Sequence, residues 1–156
     1  MKPTTVHLPA FHVIGMQGTF SPATRGQIPA LWARFASRMD DIEGQKGDVC
    51  FGLCTPNVPG PDGTPTFVYT AAVEVETLDR VPDGLVGFTV PAQTYARFTH
   101  TGHISTIDQT IDAIWGTELA ANRLQPTRGL EFERYDDRWD DETGEGPVDL
   151  YIPVRA

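Results

Sequence analysis

The sequence predicts an α+β fold made of two β-α-β-β units related by a pseudo-twofold axis, with antiparallel sheets, two long helices and a central ligand cleft. Two segments repeat apolar residues at helical spacing. The segments around them are short, rich in β-branched and aromatic residues, and bounded by Gly, Pro or Asp. The order strand, helix, strand, strand then occurs twice within 156 residues, an ordinary length for one domain.

The first strand is expected at His12–Phe20. From about Gln27 to Ile42 the residues Ile28, Leu31, Trp32, Phe35, Met39 and Ile42 form one stripe of an amphipathic helix. Pro29 sits near its start, where a missing N–H costs little, and Gly44 offers a stop. Strands follow at Val49–Cys54 and Phe67–Val75, joined by the Pro/Gly-rich stretch Thr55 to Pro65, which reads as a long hairpin loop.

The second unit begins with a strand at Tyr95–Thr101. Its helix runs from about Thr106 to Ala121 on a stripe of Ile107, Ile111, Ile114, Trp115 and Leu119, with Ser105 placed to cap it and Asp108 near its N-terminus. Strands at Leu130–Tyr135 and Val148–Val154 flank an acidic connection from Asp136 to Pro147. When the halves are overlaid, Gly18 and Trp32 fall against Gly102 and Trp115. The expectation is a single domain over residues 1–156, with pseudo-repeats at about 8–76 and 88–156. Each helix is expected to cover one face of its own sheet. The cleft at the junction is then lined by strand residues that point away from the helices.

Composition narrows the function. Hydrophobic residues at 40% and charged residues at 21% fit a globular protein. A formal net charge of −9 argues against direct nucleic-acid binding, which rests on basic patches, and favours cationic ligands. No segment reads as a signal peptide or membrane span, so a cytoplasmic location without membrane contact is expected. Cys50 and Cys54 lie in one strand roughly 13 Å apart, beyond the reach of about 7 Å for a disulfide, and read as small thiols in a reducing compartment.

Glu133 is the first candidate for chemistry. In LEFERYDD, strand alternation sets Glu131, Glu133 and Tyr135 on one side and Leu130, Phe132 and Arg134 on the other. If Leu130 and Phe132 pack under a helix, Glu133 looks into the cleft. There it pairs with a cationic ligand or, with a raised pKa, acts as general acid or base. A solvated strand glutamate is the alternative on pattern alone. Tyr69 and Tyr151 each offer a ring with a polar tip, and Tyr151 alternates against Leu150 and Ile152. Trp32 and Trp115 lie on helix stripes and read first as core, although a Trp at the inner end of such a helix can floor a cleft. His100, His103 and Asp108 match no metal-ligand spacing and the histidines read as solvated turn residues; no metal or cofactor is expected. Ser21 and Ser105 lack the setting of a nucleophile, and the acidic run reads as a solvated loop.

Several stretches taken together resemble the GyrI-like small-molecule-binding domain family, which includes the gyrase inhibitory protein and effector modules of multidrug-responsive regulators. They are IPALWARF, AAVEV, VPAQTYARFTHTGHISTIDQTIDAIWGTEL, LEFERYDDRW and VDLYIPV, covering about Phe11 to Val154. The resemblance implies a duplicated β-α-β-β fold with a central pocket for hydrophobic, often cationic, organic molecules. The family's pocket-floor glutamate matches Glu133, and its aromatic walls carry over onto Tyr69, Trp115 and Tyr151. Without a helix-turn-helix segment, the chain is expected to be a stand-alone member that sequesters a drug-like compound. Two alternatives come with the family: hydrolysis of cyclopropanoid or other electrophilic toxins by the same glutamate, and regulation of a protein partner such as DNA gyrase.

Overall fold

A computed structural model describes residues 2–60 and 62–156, with the side chain of Asn57 set aside. The strands are β1 (Thr4–Leu8), β2 (Phe11–Phe20), β3 (Gln45–Pro59), β4 (Pro65–Val75), β5 (Val86–Val90), β6 (Gln93–His100), β7 (Glu131–Tyr135) and β8 (Val148–Pro153). The helix α1 (Ile28–Ala36) follows β2. After β6, α2 (Ile107–Ala113), a π-helical turn (Ile114–Glu118) and α3 (Leu119–Ala121) run on as one continuous helix.

All eight strands join in one antiparallel sheet of order β1-β6-β8-β7-β3-β4-β2-β5. This corrects the expectation of a separate sheet for each half. The order reads the same from either end when β1 to β4 exchange with β5 to β8. The halves meet where β3 pairs with β7, and each lends its first strand to the far edge of the other: β1 pairs β6, and β5 pairs β2. The residue pattern does not announce these two edge strands. They are short, half-exposed and interrupted by polar residues, so their apolar signal is weak.

Both helices lie on the same face of the sheet. Leu31 and Phe35 of α1 pack on Ile14, Tyr69, Ala71 and Val73, while Ile114 and Leu119 pack on Ala96, Phe98, Leu150 and Ile152. The opposite face has its own core of Val13, Phe51, Leu53, Ala72, Val90, Tyr95, Phe132 and Tyr151. Phe132 stacks on Tyr151 at 4.5 Å and meets Phe11, Phe51 and Tyr95 edge-on, ring geometries that add about 0.5–1.5 kcal/mol per pair beyond burial. Phe132 and Leu130 therefore pack away from the helices, not under one. The expected facing of the cleft is reversed with them.

Local differences have local causes. The predicted Thr55–Pro65 loop is mostly strand: β3 continues to Pro59 through an irregular register, and Thr64 O accepts from the Gly60 N–H across a short turn. Pro61 of that stretch lies outside the described residues. The first helix stops at Ala36, because Ser37 Oγ donates to Arg34 O at 2.7 Å and the Arg38 N–H turns back to Phe35 O. Met39 and Ile42 still pack beneath it from a following 3₁₀ turn. Ser105 does not cap the second helix: His103 Nδ1 accepts from the Ser105 N–H and caps the 3₁₀ turn Ile104–Thr106 that leads into α2, whose own N-cap, Thr106, makes no side-chain cap bond. His100, read as a solvated turn residue, is buried between Thr110 and the His103 carbonyl. The acidic connection is pinned by Arg138, which bridges Asp136 and the buried Asp149.

Candidate functional site

The central strands set the site's geometry. Across the β3/β7 junction Cys54 pairs with Glu131, Gly52 with Glu133 and Cys50 with Tyr135, all on the helix-covered face. Gly52 leaves a gap there. Tyr69 of β4 reaches through it, and a Cβ on Gly52 would overlap the Tyr69 hydroxyl and lie 2.6 Å from Glu133 Oε1.

A hydrogen-bonded chain results. Trp32 Nε1 of α1 donates to Tyr69 Oη at 3.0 Å, and Tyr69 Oη donates to Glu133 Oε1 at 2.8 Å. Tyr135 Oη donates to the same oxygen at 2.7 Å. The rings box the carboxyl: Trp32 meets Tyr135 edge-on at 5.6 Å and Tyr69 at 6.5 Å, and Trp139 adds a further edge against Tyr135. Burial pushes the Glu133 carboxyl above its ordinary range, opposed by the Tyr135 and Tyr69 hydrogen bonds, while Asp108 raises it and Arg25 lowers it. The two tyrosines are themselves pushed up by burial and by the Glu133 charge, so they remain donors.

On the α2 side of Glu133 lies a cavity of about 30 Å³, lined by Gly52, Cys54, Ile111, Ile114, Glu131 and Leu150 among others. Burial, and then the Glu133 charge, push Glu131 from 4.5 to about 7. Above the site Arg25, just before α1, pairs with Asp108 of α2 at 2.8 Å and ties the two helix N-termini together. Among the described residues no group of three or more His, Cys, Asp or Glu side chains is placed to hold a metal ion, and no helix is long and apolar enough to cross a membrane.

The chain matches the GyrI-like small molecule binding domain over residues 1–155. It belongs to the GyrI-like family. It is 40% identical to the transcriptional regulator BrlR of Pseudomonas aeruginosa over 99% of this chain and 56% of that protein, so it spans little more than half of that relative. A structure of SAV2435 bound to tetraphenylphosphonium superposes with a TM-score of 0.77 at 18% identity, covering 100% of this chain and 95% of that one. EcmrR, in a complex with DNA, superposes at 0.70 with 12% identity over 99% of this chain and 57% of its own. At these identities the structures speak to fold alone.

In this GyrI-like domain the four residues singled out from the sequence lie in three places. Tyr69 and Glu133 are in hydrogen-bond contact. Trp115, in the π-helical turn of the second helix, packs half-buried against the core under that helix, with the Arg128 guanidinium 5.5 Å over its ring. Tyr151 lies on the other face of the sheet, the one it shares with Asp149 by alternation and with its cross-strand partner Arg97, and that face buries it in the ring cluster around Phe132. Trp32 and Tyr135 take the places beside Glu133 instead. Tyr135 shares its strand face by alternation, a signal the sequence carried. The helix stripe alone places Trp32 in the core, although a buried indole N–H calls for a partner.

Proposed function

We propose that the cleft between the helices binds a hydrophobic organic cation, with Glu133 as counter-charge and Trp32, Tyr69 and Tyr135 as ring walls. The observation that carries this reading is a desolvated carboxylate that accepts from two tyrosine hydroxyls, one of which is itself held by an indole N–H. Such a group gains most from a cation that brings its own apolar surface, because burying an unpaired charge is costly. That SAV2435 holds tetraphenylphosphonium, a cation of this kind, supports the reading. Glu133 Oε1 already accepts two hydroxyls, which favours charge recognition over general-base hydrolysis. The identity with BrlR supports a second role, as the effector-sensing part of a regulator.

Titration with tetraphenylphosphonium tests the reading. Glu133→Gln is expected to weaken binding by about tenfold or more, since the counter-charge in a desolvated cleft is lost. Equal affinity for both proteins removes Glu133 from the site.

The cavity of about 30 Å³ is far smaller than the ~300 Å³ a drug-sized ligand needs, so binding must part the helices. The π-helical turn at Ile114–Glu118, a departure often found at functional sites, lies in the helix that would move. The Arg25–Asp108 pair would act as its latch. Arg25→Ala and Asp108→Asn are both expected to speed ligand association a few-fold in stopped-flow fluorescence, with stability changed by less than about 1 kcal/mol. A charge effect without a latch would move the two rates in opposite directions.

A further inference from the structure

Glu131 has no task in the site as described. It is two residues from Glu133 on the same face of β7, and both line the small cavity. Its Oε2 is buried and has no hydrogen-bond partner among the described residues. The groups facing it are the Cys54 thiol from β3, the Glu133 carboxyl along β7, and the apolar Ile111, Ile114, Leu150 and Ile152 from the second helix and β8. Arg25 and Asp108 act on Glu133 and are paired to each other. Among the described residues no basic side chain lines the cavity.

We propose that Glu131 is a second acidic recognition group of the cleft, so that the site takes ligands with two cationic ends, one of them bearing N–H donors. This rests on the cation-binding reading above and names the ligand class more closely. An unmet acceptor lining a cavity is completed by a donor on the ligand, because leaving it unpaired is unfavourable in both states. Phosphonium and quaternary ammonium groups have no such donor, whereas amidinium, guanidinium and protonated amines do. Alternate residues of a strand stand roughly 7 Å apart. The two ends of the ligand are therefore a benzene ring's length apart, and the intervening ring lies against Ile111 and Ile114.

Glu131 is also poised to report the binding. Burial leaves it near neutrality, at about 7, so a bound amidinium draws a proton off it. The preference for a dication then grows between about pH 6 and about pH 8, as the free carboxyl ionises.

Three probes test the proposal by calorimetry: tetraphenylphosphonium, benzamidine and benzene-1,4-dicarboxamidine. The wild-type chain is expected to bind the bis-amidine about tenfold or more tightly than benzamidine, which is the increment of one added charge-assisted contact. Glu131→Gln, close to isosteric and relieved of the buried charge, should lose that preference and keep tetraphenylphosphonium affinity within about threefold. Glu133→Gln should weaken all three. A preference that survives in Glu131→Gln, or a wild-type chain that binds tetraphenylphosphonium but does not prefer the bis-amidine, overturns the role of Glu131 and leaves the cation site standing. A wild-type chain that binds none of the three overturns both readings.

Discussion

Replacing Gly52 with alanine is expected to destabilise the protein by about 3 kcal/mol and to abolish measurable binding of tetraphenylphosphonium. The figure is the upper end for forcing a methyl group into a packed interior. Here the methyl would overlap the Tyr69 hydroxyl, approach its ring carbon Cζ to 2.8 Å and lie 2.6 Å from Glu133 Oε1. Tyr69 cannot retreat cheaply. It is 4% exposed, packed against α1, and held by the Trp32 N–H. Relief therefore comes by breaking the Trp32–Tyr69–Glu133 chain, which links this substitution on β3 to the ligand. Adding Tyr69→Phe removes the atom met first and should recover part of the lost stability, a non-additivity that distant sites would not show. Gly116→Ala is a suitable control, since a Cβ there meets nothing within 4 Å and alanine suits a helix better. Urea unfolding and ligand titration of these variants decide the matter. If Gly52→Ala binds as the wild type does, the packed chain is not the site.

Stability should also fall as pH rises through neutrality, and Glu131 should be a principal cause. Its carboxyl holds a proton more tightly in the folded chain than in the unfolded one, with a pKa moved from 4.5 to about 7. The stabilisation from that proton is fully present below the unfolded value and is lost as pH climbs through about 7. The displacement corresponds to at most about 3 kcal/mol. The buried Glu133 acts in the same direction, while Asp136, held low chiefly by its hydrogen bond to Arg138, acts oppositely and only in acid. Denaturant titrations at about pH 5 and about pH 8 should show the wild-type chain losing stability that Glu131→Gln retains. The general repulsion expected from a net charge of −9 is common to both proteins, so their difference isolates the one carboxyl. Parallel losses in the two would mean that Glu131 ionises freely in the fold.

The parts of this molecule that were legible in its residues are those set by short-range periodicity. Helical spacing found both helices, and the alternation of LEFERY placed Glu131, Glu133 and Tyr135 together on one side of β7. Alternation is local, so it says that two sets of side chains part company. It does not say which set meets the helices. Both faces of this sheet are buried, and the choice was made by Phe132 joining rings from β2, β3, β6 and β8, residues brought together by pairing across the whole chain. Strand exchange at the two edges, the passage of Tyr69 over Gly52 and the arrival of Trp32 from α1 are likewise products of long-range register, for which neighbouring residues hold no record. A sequence pattern marked the carboxylate; the packing of the two halves against each other surrounded it.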